Sequence, residues 1–293
     1  MANPNIYAEV IEDTLNGTAR LTTLKIRYHR MIHAEALRHR QFSRGAASSR
    51  AIPVAKMAAR ATAEPLHWGL NQAGMQASTE LSGWRLWAVR KVWRLSRRVA
   101  QRLSRLLAWL GAHKQIANRL TEPYQWMEEV ISGTDWGNFF NLRAHDAAQP
   151  EIRAIAEAIR DALQASTPRR LPKGDFGPEL VNNWHLPFIT DSERAKARVG
   201  EYDSRGELYN AIFLAKLSSA RCARVSYLNH DGSQPDIAKD LGLFKRLTAD
   251  PKAIHASPME HSAYALASSG LRNRNYRGWR QFRAVVEGHE HDD

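Results

Sequence analysis

The feature that most restricts the fold is the stretch 84–110, which has the pattern of one long amphipathic helix. Apolar residues recur along it at helical spacing, and neither Pro, Gly nor an acidic residue interrupts it. The apolar positions are Leu86, Val89, Trp93, Ala100, Leu103, Leu107 and Leu110, and the cations are Arg85, Arg90, Lys91, Arg94, Arg97, Arg98, Arg102 and Arg105. The stripe either packs in the core or a subunit interface, or the helix meets phosphates or a membrane surface. We favour packing, because such amphipathic patterns are ordinary.

The composition is that of a globular protein with a basic charge balance. The chain has 293 residues, 43% of them hydrophobic, which is enough for one large domain or two ordinary ones. The excess of 42 Lys and Arg over 30 Asp and Glu gives a net charge of +12 and points to an anionic partner, such as a nucleotide, nucleic acid or acidic membrane.

Cysteine content and targeting signals restrict the compartment. The single cysteine, Cys222, excludes an internal disulfide and any cysteine-clustered metal site, so a reducing compartment is expected. The chain has no run of about eighteen apolar residues and no N-terminal basic region followed by an apolar one. We therefore expect a cytoplasmic protein that does not bind a membrane.

Local patterns predict a mixture of strands, helices and long connections. The predicted elements are strands at 20–30 and 223–228, helices at 31–40, 136–164, 206–222 and 235–250, a long loop at 51–83 and a connector at 166–185. Pro150 suits the first turn of a helix. The period of 261–283, where aromatic residues alternate with Arg, is ambiguous.

The densest cluster of polar side chains lies between Arg38 and Arg50, where the segment RHRQFSRGAASSR combines cations, hydroxyls and small residues. Small residues let backbone N–H groups approach an anion, and arginine offers a planar fork that matches phosphate oxygens. The cluster predicts a nucleotide site, although a solvated basic turn would show a similar run of charge.

Two further segments carry polar side chains at close spacing. In 255–261, two histidines flank a carboxylate near a Pro-set turn, but His255 and His261 are six residues apart and would not share a helix face, so we predict no metal site. The segment from Asn138 to Arg153 mixes polar and apolar residues and by itself suits a core helix. The chain has no Gly-rich dinucleotide or Walker-type loop and no Gly-x-Ser-x-Gly.

Together these segments resemble the flavin-dependent thymidylate synthases. The family signature RHRxxSxNxxSxR is matched from Arg38 to Arg50 at every fixed position except the Asn, which is Gly45 here. ARVS stands at 223–226, H-x-[ST]-P-x-E-H at 255–261 and N-x-x-x-L-R followed by A-Q-x-E-I within 138–152, and Arg119 lies four residues before a Pro. We read ARVS as part of the strand 223–228.

The order of these segments differs from that of the family, because ARVS and H-x-[ST]-P-x-E-H come last. We interpret the chain as a circularly permuted relative, which is reasonable because chain termini often lie close together at the surface. The resemblance covers about 20–152 and 219–283 and leaves 165–218 as a connector and helix of unknown role.

The resemblance implies an α+β fold, in which a mixed β-sheet is flanked by helices in one domain over 1–293, and a homotetramer with shared active sites. It also implies that the protein binds FAD, uses NADPH and methylenetetrahydrofolate, and converts dUMP to dTMP. The residues it assigns to FAD are Arg38, His39, Arg40, Asn138, Leu142, Ser226, His255, Ser257 and Glu260. Those it assigns to the nucleotide are Glu35, Ser48, Ser49, Arg50, Arg119 and Arg143, of which Arg143 lies at the pyrimidine ring and is the catalytic candidate.

Departures from the family pattern keep two alternatives open. Glu35 replaces a Gln, Gly45 the Asn, and Ala46 a commonly acidic residue; a carboxylate could accept a hydrogen bond from the amino group of cytosine. A dUMP or dCMP hydroxymethylase is therefore one alternative. The other is a nucleic-acid-binding protein that uses helix 84–110 and whose flavin site has decayed, which we rank last because a basic helix is a less specific signal than the motifs.

Overall fold

The computed structural model of the chain describes residues 3–50, 52–60, 62–172, 177–228, 232–250 and 252–288. Within these ranges the strands are β1 (Tyr7–Asn16), β2 (Ala19–His29), β3 (Ser43–Ala46), β4 (Trp126–Gly133), β5 (Arg169–Arg170), β6 (Trp184–His185), β7 (Ala263–Ala265), β8 (Arg272–Asn273), β9 (Tyr276–Arg277) and β10 (Trp279–Gln281). The helices are α1 (His33–Ala36), α2 (Val54–Ala59), α3 (Gly83–Trp109), α4 (Lys114–Ala117), α5 (Gly137–Arg143), α6 (Pro150–Ala165), α7 (Asp191–Val199), α8 (Ala211–Arg224), α9 (Ile237–Leu247) and α10 (Phe282–Val286). Turns of 3₁₀ helix lie at Arg30–Ile32, Asn118–Tyr124, Val181–Asn183 and Ser257–Glu260.

A five-stranded sheet in the order β3–β4–β2–β1–β5 forms the centre of the fold. The hairpin between β1 and β2 turns at Gly17, whose φ of 57° suits glycine because it has no Cβ. β5 runs parallel to β1, and the other neighbours are antiparallel. The protein is thus a mixed α+β structure with a mixed sheet, as expected, and β2 confirms the predicted strand at 20–30.

The two faces of the central sheet are covered by different elements. Leu24 and Ile26 of β2 belong to the same buried cluster as α6, whereas Leu21 packs in a second cluster with Trp279. The buried apolar residues of α6 recur every three or four positions, at Ile152, Ile155, Ala156, Ile159 and Leu163. One face therefore carries α6, and the other carries the C-terminal part of the chain.

A second layer is built around α8, which is buried along most of its length and contacts α9 and the 3₁₀ turn Ser257–Glu260. The three-stranded sheet β10–β7–β6 lies in this layer. Arg221 of α8 bonds Glu193 of α7 at 2.6 Å and Asp240 of α9 at 2.9 Å, which links three helices. Of segment 165–218, expected to be a connector and helix of unknown role, residues 177–218 supply β6, α7 and the start of α8 and belong to this layer.

Helix α3 confirms the helix predicted at 84–110 and carries two apolar faces. One face packs on the 3₁₀ turn Asn118–Tyr124, with Trp93 against Tyr124 at 5.0 Å between ring centroids. The second face is exposed and includes Val92, Leu95, Val99, Leu103, Leu106 and Leu110. Of the helices in the described ranges, none combines the length and apolar character that crossing a bilayer requires.

Five sequence predictions differ from the structure, one of them the connector at 166–185, which contains the short strands β5 and β6. The strand at 223–228 is wrong, because α8 continues to Arg224 and ends at Val225, whose φ of 59° is left-handed. The helix at 31–40 shrinks to α1, and that at 136–164 divides into α5 and α6, with Pro150 in the first turn of α6 as expected. The loop at 51–83 contains α2. Tertiary contacts outweigh weak local propensity in these segments.

Candidate functional site

The catalytic candidate Arg143 meets His39 of the RHR segment. At the end of α5, the Arg143 Nε–H donates to His39 Nε2 at 2.8 Å. The imidazole is 6% exposed and makes an edge-on contact with Phe139, at 5.0 Å between centroids. Burial first, then Arg143 and Arg44, lowers the pKa of His39 to about 4, so its ring is neutral near pH 7 and can accept at Nε2.

The neighbours of this contact are open to solvent. Arg38 and Arg40 flank His39 and are exposed, and Asn138 and Leu142 are exposed one helical turn apart on α5. Of the residues assigned to FAD, His39 contacts Arg143 directly, Arg38 and Arg40 flank His39 in the sequence, and Asn138 and Leu142 lie on the same helix as Arg143. His39 and Arg143 are 104 residues apart in the sequence. The packing of Phe42 against Phe139, at 5.5 Å between ring centroids, brings their two segments together.

A buried carboxylate that sequence reasoning missed lies beside β3. Glu129 of β4 is fully buried and accepts from Arg44 Nη1 at 2.9 and 3.0 Å and from the Tyr28 hydroxyl at 2.5 Å. The Tyr28 hydroxyl also contacts His33 Nδ1 at 2.7 Å. Burial, reinforced by Glu129, raises the pKa of Tyr28, and burial lowers the pKa of His33. Glu35 is half-buried on α1, the same helix as His33.

The residues predicted to hold phosphate form a second cluster. Ser49 is buried, and Ser48, Arg50 and Arg119 are exposed. Ser49 Oγ and Arg119 Nη1 both donate to Glu122 Oε1 at 2.9 Å, so the structure brings these two predicted residues together around a carboxylate. Arg50 follows Ser49 directly, and its backbone N–H donates to Ser48 Oγ at 3.3 Å.

The C-terminal residues assigned to FAD form no bond with the RHR segment. Ser226 Oγ accepts from the Leu228 N–H at 3.1 Å, Glu260 accepts from Arg283 at 2.7 Å, and His255 and Ser257 are exposed. Their 3₁₀ turn nevertheless packs against β3, which follows the RHR segment directly. Within the described ranges of one chain, no hydrogen bond or ion pair joins this group to Arg38, His39 or Arg40.

Gly45, the departure from the signature, is explained by a buried neighbour. A Cβ placed on Gly45 would lie 3.2 Å from His261 Nε2. His261 is fully buried, its Nδ1 contacts Ser132 Oγ at 2.8 Å, and burial lowers its pKa to about 3. The glycine therefore makes room for this imidazole.

Among the described residues no group of three or more His, Cys, Asp or Glu side chains is arranged to hold a metal ion.

Cys222 is not a nucleophile in this arrangement. Its thiol is fully buried in α8, and burial raises its pKa to about 12.

A cavity of ≈580 Å³ lies elsewhere, between the loop 65–78, Trp93 and the start of α6, and none of the predicted site residues lines it.

The residues present fit part of an FAD molecule. Two exposed guanidinium groups, Arg38 and Arg40, suit a pyrophosphate, and neutral His39 and the Asn138 amide offer hydrogen bonds. His255 and Ser257 are exposed and Ser226 is half-buried, and none of the three is bonded to Arg38, His39 or Arg40 among the described contacts.

Comparison with known proteins yields limited similarity. No family model and no curated protein matches the chain. Among solved structures, the chain is similar to the UMP/dUMP methylase PolB from Streptomyces cacaoi bound with 5-Br UMP, with 15% identity and a TM-score of 0.45 over 56% of this chain and 89% of that one. The structure of the same methylase bound with 5-Br dUMP has 16% identity and a TM-score of 0.47, over 56% of this chain and 90% of that one. Similarity of this extent transfers neither fold nor activity.

Proposed function

We propose that this protein transfers a one-carbon unit from methylenetetrahydrofolate to carbon 5 of dUMP and forms dTMP in a flavin-dependent reaction. The observation that carries the proposal is the 2.8 Å hydrogen bond from Arg143 to His39. It joins two segments that match the family signature and lie far apart in the sequence, and it places the catalytic candidate beside residues assigned to FAD.

Arg143 would orient and polarise the pyrimidine. His39 accepts the Nε–H and fixes the plane of the guanidinium, which leaves the Nη1 and Nη2 groups as donors for a pyrimidine carbonyl. Such donors would stabilise the negative charge that develops when carbon 5 becomes nucleophilic. Glu35 would lie near the base, and Ser48, Ser49, Arg50 and Arg119 would hold the phosphate.

The flavin would be held by Arg38, His39, Arg40, Asn138 and Leu142, together with Ser226, His255, Ser257 and Glu260. When bound, FAD supplies redox chemistry, with NADPH as the reductant and the folate as the carbon donor. The protein's own part is to bind, orient and exclude water. Because the two residue groups form no bond within one chain, we propose that the second group comes from a neighbouring copy in a homotetramer.

The experiment is incubation of the purified protein with FAD, dUMP, methylenetetrahydrofolate and NADPH, followed by mass spectrometry of the nucleotide. Formation of dTMP is expected, and Arg143→Lys should lower its rate at least about a hundredfold, since a lysine cannot hold the same fork. Bound flavin without any dTMP would reject the proposal. A salt-sensitive affinity for DNA in a colourless protein would favour the nucleic-acid-binding alternative.

A second candidate, a dUMP or dCMP hydroxymethylase, is favoured by Glu35 alone. Its half-buried carboxylate on α1 could accept a hydrogen bond from the cytosine amino group. Gly45 no longer supports this candidate, because the space it leaves is taken by His261. A hydroxymethyl product would contain one more oxygen than dTMP or its cytosine counterpart in the same mass spectrum.

A further inference from the structure

Glu122 lies in a cradle of donors that is built for an anion. Its Oε1 accepts from Arg30 Nη2 at 2.7 Å, from Ser49 Oγ at 2.9 Å and from Arg119 Nη1 at 2.9 Å. Its Oε2 lies 3.2 Å from the same Arg119 nitrogen. A carboxylate held by two guanidinium groups and a hydroxyl resembles a bound phosphate in its donors, although here the anion belongs to the chain itself.

The cradle keeps an excess of positive charge while Glu122 occupies it. Two guanidinium charges face one carboxylate, and Arg50 lies next to Ser49 in the chain. A dianionic phosphate monoester would offer more charge and more acceptor oxygens than the carboxylate, whereas a monoanion would offer no more charge. The cradle therefore favours a phosphate monoester over singly charged anions as the replacement.

Two of the three donors are held more firmly than the carboxylate, whereas the third, Arg119, has a side chain that is 55% exposed. The Arg30 side chain is only 13% exposed, and Ser49 is 2% exposed. Asn118 Nδ2 donates to the carbonyl oxygens of Ser49 and Ile52 at 2.8 and 2.9 Å and so fixes the backbone of this loop. Glu122 is 22% exposed and borders solvent, so its side chain can rotate outward at little cost in desolvation.

We propose that Glu122 is an internal competitor for the anion site, and that the phosphate of a nucleoside monophosphate binds to Arg30, Arg119 and Ser49 by displacing it. This inference rests on the proposed function, because it takes the phosphate group of the substrate as the incoming anion. It adds Arg30, which the sequence did not single out, to the phosphate-binding residues. It also gives Glu122 the role of keeping the nearly buried Arg30 paired when no ligand is bound.

Competition has a thermodynamic signature that a structural role lacks. Removing an internal competitor raises the affinity for every anion that uses the cradle by the same factor and leaves the affinity for a neutral ligand unchanged. We therefore expect Glu122→Gln to strengthen the binding of both dUMP and inorganic phosphate by roughly tenfold, the equivalent of one charge-assisted hydrogen bond. Binding of deoxyuridine should not change.

The test is calorimetric titration of the full-length protein and its variants with dUMP, inorganic phosphate and deoxyuridine. Glu157→Gln is the matched control, because Glu157 also pairs with an arginine, at 2.8 Å on the surface of α6, and should leave all three affinities unchanged. If Glu122→Gln does not fold, Glu122→Asp replaces it in the test. The aspartate keeps the negative charge but has a shorter side chain, so it should raise the affinity for anions by a smaller factor.

The outcomes separate this inference from the proposed function. Folded Glu122 variants with unchanged or weaker affinity for dUMP and phosphate would overturn the displacement. If the wild-type protein forms dTMP but the Glu122 variants show no gain in anion affinity, only the displacement by phosphate is rejected. If wild-type protein forms no dTMP but Glu122→Gln strengthens phosphate binding, the proposed function fails and the internal competitor stands.

Discussion

At the scale of single residues, position 45 shows how a buried side chain restricts its neighbour. The signature of the family places Asn there, and the structure places His261 Nε2 3.2 Å from where the Cβ would be. The imidazole is held on its other side by Ser132, so it has little freedom to move away. The glycine is therefore a packing requirement of this chain.

We expect Gly45→Asn to lower the free energy of unfolding by about 1–3 kcal/mol, because the new side chain would crowd the buried imidazole of His261. Urea denaturation at pH 7.5 measures the change. Gly137→Ala is the control: a Cβ on Gly137, at the start of α5, meets no atom within 4 Å, so stability should stay the same or rise slightly. An unchanged free energy of unfolding in Gly45→Asn would show that the His261 imidazole can move aside, and would contradict the prediction.

At the scale of elements, α3 is a helix with one of its two apolar faces exposed. Val92, Val99, Leu103, Leu106 and Leu110 remain 44–66% exposed and follow one another at spacings of three, four and seven residues. Such a stripe suits packing against another helix. We propose that this stripe is an interface of the homotetramer proposed above.

We expect charge on the stripe to dissociate the proposed homotetramer. We expect the double variant Val99→Asp, Leu103→Asp to reduce the mass measured by light scattering after gel filtration, because carboxylates cannot be buried at an apolar interface without a partner. The double variant Arg98→Asn, Arg105→Asn changes the net charge by the same amount and should retain the wild-type mass. Equal masses for all three proteins would place the interface elsewhere.

At the scale of the whole molecule, a buried chain of hydrogen bonds links the two layers. His185 of β6 contacts Thr14 Oγ1 through Nδ1 and Thr23 Oγ1 through Nε2, both at 2.7 Å. Thr23 Oγ1 contacts Ser132 Oγ at 2.6 Å, and Ser132 contacts His261. Burial lowers the pKa of both histidines, so a charge on either ring would be buried away from solvent.

This arrangement predicts a loss of stability in mild acid. The unfolded chain binds protons near pH 6.5, whereas folded His261 resists protonation until about pH 3, so the stabilisation is present above pH 6.5 and is lost as the pH falls toward 3. Urea denaturation from pH 8 to 5 should show His261→Gln falling less steeply than wild type below pH 6.5, by up to about 1.4 kcal/mol per pH unit. Above pH 7.5 the two slopes should coincide; parallel slopes at all pH values would contradict the prediction.

The sequence by itself determined the elements whose patterns are local. The periodicity of 84–110 predicted α3, the alternation in 20–30 predicted β2, and the family resemblance singled out His39 and Arg143. Where the pattern was weak, as at 223–228, the burial of α8 decided the outcome and carried the helix through Arg224.

Only the tertiary structure decided which side chains meet. Three contacts join residues that are far apart in the chain. They are the hydrogen bond between His39 and Arg143, the hydrogen bond from Ser49 to Glu122 in the anion cradle, and the close approach of His261 to Gly45. Local periodicity reports which face of an element is buried, but not which partner buries it. That choice follows from packing and from the need of each buried polar group for a partner.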